Sequence, residues 1–134
     1  MDIKKEKVLC QKQWAKNKYL VLSYSSKIYL EIRTYLKQEE VSLEKINELI
    51  KQAINLPEDK GQVTNALHHV WGYFKKSATK EEKDNFFELI EDYHINKTTK
   101  EDLIEEVKKL LEKYPNTYLE QSTFINGGKD ETLA

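Results

Sequence analysis

Apolar positions recur at three- and four-residue intervals along almost the whole chain, the period of a helix buried along one stripe. Residues 4–22 place Val8, Ala15, Tyr19 and Leu22 on one side, with Trp14 and Val21 on a second. This spacing predicts a first helix packed on more than one flank. Tyr24-Ser25-Ser26 predicts a break and a cap, after which Ile28, Ile32, Tyr35 and Leu36 form a second stripe. Ser42 reads as the N-cap of a third helix, with Val41 stapled against Ile46. Leu43, Ile46, Leu49, Ile50 and Ala53 supply that helix's apolar series, and Pro57 ends it.

A fourth helix is predicted over residues 60–77. Thr79 with Glu82 forms a capping box for a fifth, which buries Phe86, Leu89, Ile90 and Tyr93. Thr98 with Glu101 reads as a second box, opening a sixth helix that buries Leu103, Val107, Leu110 and Leu111 and stops at Pro115. Tyr118, Leu119, Phe124 and Ile125 are too apolar to float, so residues 116–125 are expected to dock on the bundle. The prediction is an all-α compact bundle of about six helices, a single domain over residues 1–125, with a flexible C-terminal tail over 126–134.

The fourth helix carries two chemistries. At about 100° per residue, Val63, Ala66, Leu67, Val70 and Phe74 fall on one stripe. Asn65, His68, His69, Gly72, Lys75 and Lys76 fall on the other, with Gly72 near its centre. Glycine inside a helix costs roughly 1 kcal/mol relative to alanine. Its presence predicts that something approaches the backbone closely.

Composition and charge narrow the classes. The 134 residues are 39% hydrophobic and 34% charged, with four glycines and two prolines, which favours long helices over a many-turned sheet. No apolar run approaches the roughly 20 residues that span a bilayer, and the lysine-rich start lacks the apolar segment of a signal peptide. The expected location is cytoplasmic, with no membrane partner. The net charge of −1 conceals an asymmetry. Residues 1–37 hold nine basic groups against Asp2, Glu6 and Glu31, a balance of +6, which leaves −7 for the remainder. A basic end of this kind attracts polyanions, unless acidic helices fold back over it.

No catalytic residue can be assigned from the pattern. His68 and His69 point about 100° apart on a helix and cannot chelate one ion as an i, i+4 pair would, so no metal is expected. Cys10 is the single cysteine, with no partner for a disulfide or a cluster and no base beside it. Paired carboxylates such as Glu105-Glu106 sit on faces expected to be solvated. There is no glycine-rich phosphate loop, and no cofactor is expected. Trp14, Lys16, Lys18, Tyr19, Tyr24 and Lys27 interleave charge with flat rings, which suits phosphate contact plus base stacking; the same aromatic spacing also suits a core.

Four segments carry a resemblance. Lys18-Tyr19-Leu20-Val21-Leu22-Ser23-Tyr24-Ser25 resembles the first signature of the bacterial YbgA-like family, a domain of unknown function. Asn65 to Lys75 resembles its central signature, and Ile90-Glu91-Asp92-Tyr93 and Tyr118-Leu119-Glu120-Gln121 resemble the later ones. The matching residues are Lys18, Tyr19, Ser23, Asn65, His69, Gly72, Tyr73, Lys75, Tyr118 and Gln121. Domains of this kind are often joined to an iron–sulfur desulfidase-type domain of the thiouracil desulfurase group. The resemblance therefore implies a helper that engages thiolated RNA such as transfer RNA. It implies no catalytic residue. This chain departs from the joined arrangement in having no cluster cysteines, and it carries Asn96-Lys97-Thr98-Thr99 where many relatives have a Pro- and Leu-rich loop.

The expectation is a non-catalytic RNA-associated module. Lys16, Lys18, Lys75 and Lys76 would hold phosphates; Asn65, His68 and His69 would make polar contacts, and Gly72 would permit close approach. One alternative is a protein-interaction module docking on a separate iron–sulfur desulfidase-type or other RNA-modifying enzyme. Another is an enzyme acting on a nucleotide-like small molecule, with His69 as its acid–base group.

Overall fold

A computed structural model describes residues 2–127, in which eight helices and no strand occur among the described residues. The architecture is an all-α bundle organised around its first and longest helix. That helix, α1 (Ile3–Tyr24), is capped by Asp2, whose carboxylate accepts from the Lys4 amide at 2.9 Å. It packs against α2 (Ser26–Tyr35), α3 (Leu43–Ile54), α4 (Lys60–Trp71) and α8 (Thr123–Asn126). Two cores lie on its two flanks. Val21 and Cys10 join Ile32, Val41, Ile46 and Ile50 in one, with Trp14 packed alongside. Tyr19 and Leu22 join the larger one, built from α4, α5 (Lys80–His94), α6 (Lys100–Lys113) and the short α7 (Thr117–Glu120) and α8. The expected double packing of the first helix holds. Its N-terminal turns are the exception: Val8, expected on the buried side, is 47% exposed, and Ile3 and Leu9 beside it are exposed too.

Local capping follows the sequence closely. Ser25 accepts from the Ile28 amide and Ser42 from the Lys45 amide. Val41 and Ile46, the expected staple, are both buried. The box before α6 falls one residue later than expected: Thr99 and Asp102 form it, and the Thr98 hydroxyl donates to the same Asp102 carboxylate at 2.7 Å. The shift arises because α5 closes through Asn96 in the left-handed region, φ 63°, with Lys97 donating back to the Asp92 carbonyl; this consumes one more residue before α6 starts.

The largest departure is in the fourth helix, which stops at Trp71 instead of running to residue 77. Beyond it the hydrogen bonds tighten to i→i+3: Gly72 to His69, Tyr73 to Val70 and Phe74 to Trp71. Side chains three residues apart eclipse in such a turn. Trp71 and Phe74 are both buried, with rings 6.2 Å apart. At the other end of the chain, Leu119, Phe124 and Ile125 are buried, so the segment over 116–125 docks as expected. Asn126 is the last residue of α8 and Gly127 closes it at φ 60°. The remainder of the expected tail, residues 128–134, lies outside the described residues. No helix among the described residues is long and apolar enough to cross a membrane.

The first capping box yields a pH prediction. The Thr79 amide, the Tyr114 hydroxyl and Lys113 all donate to Glu82, holding its carboxyl down to about 2 against an ordinary 4.5. A depressed carboxyl stabilises the fold fully above its unfolded pKa, and that stability is lost as pH falls toward the folded value. Between pH 4.5 and about 2, the wild-type midpoint of thermal unfolding should therefore fall more steeply than that of Glu82→Gln. Parallel slopes in the two proteins would show that the box does not couple to folding.

Candidate functional site

Every residue expected on the polar face of the fourth helix is exposed, but they do not share one helix face. Asn65, His68 and His69 stand on α4. Gly72 is its C-cap, and Lys75 and Lys76 belong to the tightened turn that follows. The His68 ring lies 5.1 Å from that of Phe87, tilted by 58°, which leans it toward α5. His69 faces solvent and does not line the groove described below. The two histidines and two lysines cluster at the C-terminal end of a helix, where the backbone dipole favours positive charge.

Gly72 has a reason internal to the turn. A Cβ built there would meet the His69 carbonyl oxygen at 3.1 Å, so the crowding comes from the chain's own backbone. Ser23, another residue of the family signatures, is also structural: it is buried and donates to the Leu20 carbonyl at 2.6 Å. Among the described residues no group of three His, Cys, Asp or Glu could hold a metal ion. His94 is engaged with Thr64 at 2.8 Å. Cys10 is fully buried, and burial first and the Glu6 charge second push its thiol up, away from the reactive thiolate.

What the fold does assemble is a tyrosine cluster capped by a lysine. Tyr19 of α1, Tyr73 of the turn and Tyr118 of α7 come together from three distant segments. The Tyr19 and Tyr73 hydroxyls are 2.8 Å apart, and their rings meet edge to face. Tyr73 stacks on Tyr118, centroids 5.9 Å apart and planes within 9°. The Lys18 ammonium lies 5.3 Å from the Tyr19 centroid and 5.4 Å from that of Tyr118, within range of both π faces. The Tyr118 hydroxyl donates to the Ala15 carbonyl at 3.0 Å, pinning α7 to α1.

The electrostatics suit recognition better than proton transfer. Burial, then the charges of Tyr73 and Tyr29, push the Tyr118 hydroxyl up to about 12. Burial and the hydroxyl pair with Tyr73 raise Tyr19 as well. Both remain phenols near neutral pH, so what the cluster offers is a set of flat rings with a cation over them.

Beside Tyr118 a groove of about 450 Å³ opens between α1 and α7, with Leu43 of α3 on its wall. Lys12 and Lys16 bring positive charge to it, and Gln121 brings an amide. The fold thus gathers Lys18 into the tyrosine cluster, Lys16 into the adjoining groove, and Lys75 and Lys76 into the turn that also holds Tyr73. Asn65, His68 and His69 remain on α4, outside the cluster. Reasoning from periodicity missed Tyr73, Tyr118, Lys12 and Gln121 as site residues. Three of them stand in the family signatures, and that was the available signal; Lys12 gave none beyond its charge.

A family model described as "Protein of unknown function (DUF1722)" matches residues 18–127. No curated protein and no solved structure matches the chain. The matched segment contains the whole tyrosine cluster and every helix after α1, and the resemblance to the YbgA-like family is consistent with it. With a match over well more than half its length, this chain belongs to the DUF1722 family of proteins of unknown function.

Proposed function

We propose that this protein is a non-catalytic RNA-associated module. The observation that carries the reading is the convergence of Lys18, Tyr73 and Tyr118 on one partly exposed surface, above the buried Tyr19. Lysines interleaved with flat rings contact phosphates and stack bases, which is how single-stranded nucleic acid is held without sequence preference. Tyr73 is 37% exposed and Lys75 and Lys76 follow it in the same turn, so cations flank the rings. Lys16 lies along α1 on the other approach, and Asn65, His68 and His69 add polar contacts further along α4. Carboxylates beyond the basic segment pair with lysines that are also beyond it, among them Glu58 with Lys100, Glu82 with Lys113 and Glu106 with Lys109.

Fluorescence anisotropy with labelled transfer RNA and with a single-stranded oligonucleotide tests this reading. Affinity should fall linearly in log–log form as salt rises from about 50 to about 200 mM. Lys75→Glu with Lys76→Glu should weaken binding by about tenfold or more at the lower salt and flatten the slope by roughly 1.4–1.8, the share of two phosphate contacts. A flat salt response, or unchanged binding by the double variant, overturns the proposal.

A second reading rests on a different observation. Ile3 and Val8 stand 48% and 47% exposed on α1, ahead of the family-matched segment. With Leu9, 38% exposed, they leave apolar surface on the first turns of α1, which favours a protein-interaction module that docks on a separate iron–sulfur desulfidase-type or other RNA-modifying enzyme. Recovery of one protein partner with the tagged chain, surviving nuclease treatment and lost in Ile3→Ser with Val8→Ser, would support that reading over the first.

A further inference from the structure

The groove between α1 and α7 is the best-formed concavity next to the tyrosine cluster, and its chemistry is specific. Its walls are apolar, made by Leu9, Ala15, Leu43 and the Tyr118 ring. Its volume of about 450 Å³ falls in the range of roughly 300–1,000 Å³ typical of small-ligand sites. Both charged groups lining it, Lys12 and Lys16, are positive, and Lys12 is exposed. An occupant must therefore offer an apolar body and an anionic end.

Two features narrow the choice further. One wall is a flat ring that belongs at the same time to the Lys18-capped stack. Two amides also line the groove. Gln121 is exposed, and Gln13 is 4% exposed and held in place by donating from Nε2 to the Asn47 amide oxygen at 2.9 Å. Amides donate and accept, which a base edge can use and an alkyl chain cannot.

We propose that this groove receives one nucleobase of the bound RNA, held against the groove-lining edge of Tyr118, with its phosphate on Lys12. The inference rests on the RNA-associated reading but names a separate surface from the Lys75–Lys76 turn, so the two can fail independently. An extruded base would lie beside the Tyr73–Tyr118 stack, while neighbouring phosphates run past Lys18.

The test uses the full chain in an amide NMR titration with uridine 5′-monophosphate, uridine and decanoate, run beside the RNA anisotropy. The monophosphate should shift the resonances of Ala15, Lys16 and Gln121, with uridine binding more weakly. Lys12→Glu, on an exposed side chain that folding does not need, should weaken the monophosphate by about tenfold through loss of one charge-assisted contact. Ala15→Leu, which fills the groove, should abolish the shifts while RNA still binds through Lys75 and Lys76 with reduced affinity. If RNA binds but the monophosphate leaves these resonances unmoved, or binds Lys12→Glu as tightly as wild type, the groove assignment falls and the RNA reading stands. Decanoate binding as tightly as the monophosphate also overturns the assignment. If the monophosphate binds and RNA does not, both the RNA reading and the assigned occupant are overturned.

Discussion

Trp71→Ala should destabilise the protein by about 3–5 kcal/mol, the usual cost of truncating a buried large aromatic side chain. Trp71 is 6% exposed and sits at the junction of the main core. It stacks on Phe86 at 5.1 Å, meets Phe87 edge-on at 5.7 Å and touches Phe74 across the tightened turn. Removing it leaves a cavity between α4 and α5 and removes the reason for the helix to stop where it does. Urea denaturation measures the effect as a shift of the midpoint at unchanged slope. A loss below about 1 kcal/mol, the range of an ordinary surface change, would show that Trp71 does not anchor the turn.

Tyr19→Ala should cost a similar amount, about 3–5 kcal/mol, whereas Tyr19→Phe should cost only about 1 kcal/mol. Tyr19 is 7% exposed and belongs to the main core, so alanine opens a cavity. Phenylalanine keeps the ring and loses only the hydroxyl pair with Tyr73. Tyr73→Ala, which removes the same hydroxyl pair together with the stack on Tyr118, should cost about 1–3 kcal/mol. The same three variants separate scaffold from surface in the RNA assay. Tyr73→Ala should stay folded yet lose affinity by about tenfold or more, while Tyr19→Phe should bind almost as wild type. Equal losses of affinity and stability across all three would mean that the cluster is a packing device only.

Structure that is local in cause was legible in the sequence. Ser42 and Thr79 cap their helices through bonds to amides three residues away, and such bonds need nothing from the rest of the chain. The apolar series of the third and sixth helices bury as their spacing predicts, including Ile46, Ile50, Leu103 and Val107. The box before α6 was displaced by one residue because two adjacent threonines could each begin it, and the geometry of the preceding closure at Asn96 decided between them.

The end of α4 was not legible, since periodicity continues through Phe74 while the backbone does not. The turn depends on Phe86 and Phe87, a helix away in the chain, giving Trp71 a place to pack. The candidate site was harder still. Tyr19 and Tyr73 are 54 residues apart in sequence and in hydrogen-bonding contact in space. Neither one's neighbours indicate the other. Asn17 makes the same point: it stands between two lysines in the sequence, yet it is fully buried and accepts from the Thr123 hydroxyl of α8.

By itself, the sequence determined an all-α chain: where most helices begin, which of them are amphipathic, and that one end is basic. Those properties come from hydrogen bonds and side-chain spacing within about one helical turn, so a short window contains their causes. Only the tertiary structure decided which faces are covered: that Val8 stays open, that α4 ends at Trp71, and that three tyrosines meet beneath Lys18 beside a groove. Burial and ring stacking depend on whatever surface arrives from elsewhere in the chain, and that arrival is settled by packing the whole bundle at once.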